Sequence, residues 1–312
     1  MADSSLVLIA AQGVGASSAY LYAALGESFG QRAGIYNLGV DGIMLMGAFS
    51  AYYAVYTGQS PLVGVAAAML VGAIMGLLMA FMSVTLKAEQ GISGIGLYMF
   101  GLGLSTLIFE ALVPIRRPVS DGFGRIPIPI LSDIPVVGPI LFDQNLMVYG
   151  ALLLVPVAWL VLNKTTLGLN IRAVGQNPQA ADAVGVNVAL VRYLAVTFGG
   201  LMAGVAGASL SIAQTNIFQQ NMTNGIGFIA VALVYFGGWS PIGILLGALL
   251  FSVVTTLQLW IQTNPPFGLV ISPSLLNMLP NVITILALIV AVSIYRMQTP
   301  AALGQPYRRD EN

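Results

Sequence analysis

Residues 61 to 84 read PLVGVAAAMLVGAIMGLLMAFMSV, without one charged side chain. A helix that crosses a bilayer needs about 20 mostly apolar residues. This stretch is long enough to span, and it lacks the polar stripe that a helix on a soluble domain would show. Working outward from it, comparable apolar runs lie at 5–25, 42–57, 91–113, 146–163, 190–213, 226–238, 241–261 and 278–295, separated by short polar or Pro/Gly punctuation. The pattern predicts an all-α membrane protein, a polytopic helical bundle of about nine spans forming a single transmembrane domain over 1–312. The runs at 42–57 and 226–238 fall short of full bilayer length and are flanked by Gly and Asn, which predicts short or broken helices.

Composition agrees. Of 312 residues 57% are hydrophobic and 7% charged, against roughly 25% charged in soluble domains, and the mean hydropathy is +0.89. With no Cys and no His, thiolate and imidazole chemistry, disulfides and His/Cys metal sites are excluded. A net charge of zero and the absence of a basic run point away from nucleic acid. Met1 to Ser5 contains Asp3 and no Lys or Arg, so the first apolar run is expected to be a retained span, not a cleaved signal peptide.

Positively charged loops stay on the cytoplasmic side. Nine spans with the C-terminus inside put Arg32, Lys87, Lys164, Arg172, Arg192, Arg296, Arg308 and Arg309 in the cytoplasm and leave Arg116, Arg117 and Arg125 outside. The expected topology is N-terminus out, C-terminus in, with a cytoplasmic tail at 296–312. Two connections are long. The loop 114–145 carries six prolines and cannot be a continuous helix, so it is expected to be a rigid extracellular loop. The loop 163–191 contains Asn177-Pro178, a helix-start signal, followed by a short helix at Gln179 to Val184 that Gly185 can end, lying on the cytoplasmic face.

Few residues can carry chemistry. The segment Glu27 to Gly47 holds Glu27, Arg32, Asn37 and Asp41 among Gly34, Gly39 and Gly42, and is expected to be a broken element. Unwound backbone at membrane depth is tolerated where it lines a cavity or is buried in protein. Asn37 and Asp41 are therefore substrate-path candidates, expected to matter more for transport than for folding; the plainer reading is a loop with a helix cap at Asp41. Gln214, Asn216, Gln219, Gln220, Asn221, Thr223 and Asn224 form an uncharged polar stretch next to Phe218 and Phe228. Amides, hydroxyls and rings suit a neutral polar solute such as a nucleoside or sugar, and a wet extracellular turn is the alternative. Gly72/Gly76, Gly200/Gly204 and Gly243/Gly247 have the spacing of close helix packing. Glu110 is expected to pair with Arg116 or Arg117.

An intramembrane enzyme would need paired catalytic groups, and Asp41 and Glu110 are the carboxylates expected near a span. No Walker A sequence is present: Lys164-Thr165 has Asn163 where a glycine is required, and Lys87 is followed by Ala88. The chain is not an ATPase by that route. The acidic residues form no proton or cation relay, so energy for uphill transport is expected from another subunit. A secondary transporter or passive channel for a neutral polar solute is the alternative.

Three stretches carry a family resemblance: GQRAGIYNLGVDGIMLMGAF at 30–49, IRAVGQNPQAADAVGVNV at 171–188 and TNGIGFIAVALVYFGGWSPIGILLGALLF at 223–251. The chain resembles the permease subunits of bacterial ABC importers, in the branch handling nucleosides and simple sugars. That branch lies within a group that includes branched-chain amino acid and ribose permeases, so a branched-chain amino acid is a further substrate alternative. The resemblance implies that Gly175, Gln176, Asn177, Ala180, Ala181, Gly185 and Val186 form a coupling helix docking on the ATPase, flanked by Arg172 and Asp182. It also implies a second permease subunit (a copy or a relative), ABC ATPase subunits that bind the ATP, an extracellular or periplasmic solute-binding protein or lipoprotein, and a place in the bacterial cytoplasmic (inner) membrane. It implies no cofactor held by this chain.

Overall fold

The computed structural model describes residues 2–113, 119–264, 272, 275–276, 278–280, 282–283, 285–286 and 299–307, with side chains from residue 6. Ten helices run through the described residues: α1 (Ala2–Arg32), α2 (Val40–Tyr56), α3 (Pro61–Ala80), α4 (Gln90–Leu112), α5 (Leu146–Lys164), α6 (Thr166–Gln176), α7 (Pro178–Ala183), α8 (Val188–Ala208), α9 (Ile226–Phe236) and α10 (Pro241–Thr263). Six stretches are long and apolar enough to cross a membrane: Leu6–Arg32, Pro61–Thr85, Gln90–Leu112, Leu146–Lys164, Val188–Gln214 and Pro241–Thr263. The fold is thus an all-α polytopic membrane protein with six full-length spanning helices among the described residues. The expected short runs are short helices. At 1.5 Å per residue α9 is about 16 Å long, half of a bilayer core of about 30 Å. The expected span 278–295 falls largely outside the described residues, as do Arg116, Arg117, Arg296, Arg308 and Arg309.

Three expectations need correcting. The first helix does not end near residue 25; it continues to Arg32, so Glu27 sits on α1 and the unwound stretch is only residues 33–39. Gly42 is not part of the break but lies inside α2, where its missing side chain lets the α4 backbone at Leu97 and Tyr98 approach. The loop 163–191 holds two helices, not one. Thr165 caps α6 by accepting from Gly168 N, and Gly168, Ile171, Val174 and Gly175 form its buried face.

Helix α8 is the hub. Its glycines meet those of α3 backbone to backbone: a Cβ on Gly204 would lie 2.1 Å from Ala68 O, and one on Gly72 would lie 2.4 Å from Gly200 O. Gly207 meets Met44 O of α2 in the same way, and α1 contributes Gly26 against Gly199 and Met202. Lipid tails are as apolar as Leu, so helices associate there through close van der Waals fit, which small residues permit. The packing role expected of Gly72, Gly76, Gly200 and Gly204 is what they serve. Both α3 and α8 end in π turns, Phe81–Thr85 and Ser209–Gln214, and the second brings Ser209 Oγ within 2.7 Å of Ser18 Oγ on α1.

The Pro-rich loop is not helical through its described part except for a π turn at Gly138–Phe142, and it is pinned by a two-stranded antiparallel ribbon, β1 (Arg125–Pro127) with β2 (Asp143–Asn145). Residues 119–123 fold over the end of α8: Ser120 N and Oγ donate to Asn216 O at 2.8 and 3.0 Å, and Phe123 N donates to Ile212 O at 2.8 Å.

If the glycine seam holds α8, Gly204→Val should force the helices apart and lower thermal stability in detergent by about 1–3 kcal/mol or abolish accumulation. Gly96→Ala is the control, because a Cβ there meets nothing within 4 Å. Equal melting temperatures for the two variants would refute the seam.

Candidate functional site

Helix α1 stops in a Schellman motif: Gly34 N donates to Gln31 O (3.0 Å) and Ile35 N to Gly30 O (2.9 Å), with Gly34 at φ +91°. The left-handed turn suits glycine because it carries no Cβ. Beyond it the backbone is unwound, and its polar groups find partners on neighbouring elements. Asn37 N donates to Glu27 Oε1 (2.9 Å), Gly39 N to Asn37 Oδ1 (2.8 Å) and Tyr36 N to Gln90 Oε1 (3.1 Å). Glu27 also accepts from Gln31 Nε2 (3.2 Å), and Gln31 Oε1 accepts from Trp239 Nε1 (3.0 Å), while Arg32 Nε donates to Trp239 O (2.8 Å). Glu27, Gln31 and Asn37 are all buried. Beside the break, Glu89 caps α4; the backbone N–H groups of Ile92 and Gly91 hold its carboxyl below the ordinary value.

Asp41, fully buried, is a cap of another helix. Its Oδ1 accepts from Gly227 N (2.7 Å) and its Oδ2 from Thr223 Oγ1 (2.9 Å). The N-cap of its own helix is Gly39, with no side-chain bond. The carboxylate therefore sits at the N-terminus of α9, where free N–H groups and the helix dipole favour an acid. The backbones touch as well, since a Cβ on Gly227 would lie 2.3 Å from Asp41 N. The two short helices thus meet N-terminus to N-terminus inside the bundle.

The uncharged stretch divides. Gln219, Asn221 and Asn224 are exposed, and Asn221 and Asn224 adopt left-handed backbone, φ +55° and +42°. Phe218 points inward, 1% exposed, 4.9 Å from the Phe109 ring and 5.6 Å from Phe49. It packs the core beneath the amides and leaves no face for a solute to stack on. Glu110 accepts from Gln220 Nε2 at 2.6 Å, whereas the arginines expected to pair with it lie outside the described residues.

At the other end of the bundle, Asn177 caps α7 by accepting from Ala180 N (2.9 Å), and Gly185, φ +89°, terminates it. Gln176, Asn177, Ala180 and Gly185 are exposed, as are Ala183 and Val184, the last at 81%. Asp182 is half-buried. Gly175 and Ala181 face into the chain: Gly175 lies against Arg32 O, and Ala181 packs with Val174 and Val188.

Sequence reasoning placed Glu27 in a loop and passed over Gln31 and Trp239. Glu27 and Gln31 stand four apart in an apolar run, one face of one helix, which was the available signal. Asp41→Ala should leave Gly227 N–H and Thr223 O–H without their acceptor and cost about 2–4 kcal/mol in detergent melts. Thr223→Val should cost less, because Gly227 keeps its partner. This sets a folding role beside the transport role expected of Asp41, and an unchanged melting temperature for Asp41→Ala would show that the carboxylate does not hold α9.

Comparison with known proteins follows the same architecture. The family model for the permease component of branched-chain amino acid transport systems matches residues 9–295. A putative glucose ABC transporter permease of Haloferax volcanii is 37% identical, covering 95% of this chain and 96% of that protein. A guanosine ABC transporter permease of Bacillus subtilis is 36% identical over 91% of each chain, and a nucleoside ABC transporter permease of Lactococcus lactis subsp. cremoris 34% over 93% of each. No solved structure matches the chain. Apolar helices of spanning length, an unwound segment buried in the bundle and end-to-end likeness to these proteins have one reading: the chain belongs to the permease family of ABC transporters typified by the branched-chain amino acid systems.

Proposed function

We propose that this chain is one of two membrane-spanning subunits of an ATP-driven importer that carries nucleosides or simple sugars inward across the cytoplasmic membrane. The carrying observation is the likeness, over more than nine-tenths of both chains, to permeases named for guanosine, nucleosides and glucose. The exposed neutral amides Gln219, Asn221 and Asn224 suit such a solute, which has hydroxyls and ring nitrogens to pair and no charge to balance. Asn37 and Asp41 act behind that surface, fixing the break and the α9 N-terminus that border the path.

Energy enters through partners. Helix α7 with Gln176, Asn177, Ala180 and Gly185 is the element that docks on the ATPase. Its exposed face of Ala180, Ala183 and Val184 is small and apolar, as a groove contact requires, and Val184 at 81% exposure has no other apolar cover. Gly175 and Ala181 support this face from behind, and Asp182 flanks it. A solute-binding protein or lipoprotein delivers substrate to the outer face, beside residues 119–145. The second permease subunit completes the pathway. The N-terminus lies outside and the C-terminus inside.

Membrane vesicles holding the permease with its ATPase and binding protein should accumulate one of a panel of labelled nucleosides, glucose and leucine, and only with ATP. Accumulation without ATP would favour a carrier or channel, and accumulation of leucine alone would move the substrate to the branched-chain amino acids. Val184→Glu puts a charge into the docking contact without disturbing the inward face of α7. It should cut retention of the ATPase subunit on purified permease by at least about tenfold, a desolvated unpaired charge being worth more than one factor of ten. Reporter fusions at Lys87 and Gln176 should read cytoplasmic and one at Asp121 external; an external reading at Gln176 would overturn both topology and docking.

A further inference from the structure

Residues 299–307 lie across the end of the bundle that carries α7, and they bond to parts of the chain far apart in sequence. Ala302 N donates to Gly175 O (2.9 Å), at the end of α6. Gly304 N donates to Gly34 O (3.1 Å), at the start of the break. Arg192, 1% exposed, joins the two: its Nε donates to Ala33 O (3.1 Å) and its Nη1 to Gln305 O (3.2 Å). Tyr307 Oη donates to Asp182 Oδ2 on α7 (2.9 Å), and its ring packs with Val174, Ala181 and Val188. The fit is close where it meets the break, since a Cβ on Gly34 would come within 3.0 Å of Ala302 O. Beside its contact with α7, a cavity of about 450 Å³ borders Val84, Lys87, Asp182, Val186, Arg192 and Tyr307.

The geometry points to a strap. We propose that residues 300–307 carry displacement of α7 to the break between α1 and α2, with Tyr307 as the attachment to α7 and Arg192 as the positioning residue that clamps the strap to the end of α1. This rests on α7 being the ATPase-docking element. A side chain that bridges two carbonyls, one on the strap and one beside the break, transmits a shift of either to the other. Coupling between sites travels through such contiguous contacts when they move between discrete arrangements.

The chain has no cysteine, so thiols can be placed at will. In purified permease–ATPase complexes reconstituted with the binding protein, Tyr307→Phe should keep wild-type abundance and ATPase retention while the solute imported per ATP hydrolysed falls about 3- to 10-fold, the range for one lost hydrogen bond. The pair Asp182→Cys with Tyr307→Cys should show the same loss when reduced. Joined by a short bifunctional thiol cross-linker, it should recover the wild-type ratio, because the joint is restored. A purely structural tail would move abundance or melting temperature and leave that ratio alone. Wild-type ratios for Tyr307→Phe and the reduced pair would overturn the strap, as would a cross-linked pair that fails to recover, since α7 and the strap would then have to separate during the cycle. Failure of the docking reading is seen separately: in that case Val184→Glu retains the ATPase whatever the strap variants do.

Discussion

The carboxyl of Glu27 lets the chain stop being a helix inside the bundle. Unwound backbone surrounded by hydrocarbon costs several kcal/mol for each unpaired N–H or C=O, and residues 33–39 expose such groups. Glu27 takes the Asn37 N–H, Gln90 takes that of Tyr36, and Asn37 folds back on Gly39. The carbonyls of Ala33 and Gly34 are met by Arg192 and Gly304. These partners come from α1, α4, α8 and the C-terminal segment, so the break forms only when those elements are already assembled. Its course then fixes the start of α2, which puts Asp41 at the head of α9.

Glycine packing makes that assembly possible. With Gly200, Gly204 and Gly207, α8 lets α3 and α2 reach its backbone, and Gly199 does the same for α1. A branched residue at any of these positions would hold the helices apart. Arg192, one end of the same helix, would then lose its reach to Ala33. Close fit along the shaft of α8 and polar clamping at its end are two parts of one arrangement.

The spanning helices were legible because bilayer thickness imposes a length and lipid imposes apolarity, and residues 61–84 satisfy both without ambiguity. The two short helices were legible for the converse reason, their shortness. Residues whose roles depend on a partner distant in sequence were not. Asp41 reads as a local cap because Asp near a helix start usually is one; its true partners, Thr223 and Gly227, lie more than 180 positions away. Phe218 reads as a stacking ring because its neighbours in sequence are amides, but burial is decided by Phe49, Tyr52 and Phe109 on other helices. Helix α6 was hidden by its length and its polar face, which resemble a loop until Ile171 and Val174 are known to be covered.

The contacts around the break run further than the break. Asn224 stands next to Thr223, whose hydroxyl reaches Asp41, and Asp41 begins the helix that leaves the 33–39 segment. That segment bonds through Gly34 to the strap, and the strap through Tyr307 to α7. The links differ in kind. The glycine seams are backbone against backbone and have no second arrangement short of separation. The link at Tyr307 joins a side-chain hydrogen bond to apolar packing, and that at Asp41 adds two side-chain hydrogen bonds to its backbone contact with Gly227, each bond net worth about 1 kcal/mol and somewhat more where the acceptor is charged. A permease must keep its helices together while its path opens and closes, so movement belongs at the weak links and rigidity at the seams. The amide-bearing stretch and α7 are thus joined through side-chain and backbone hydrogen bonds, while α8 holds α1, α2 and α3 by close backbone packing.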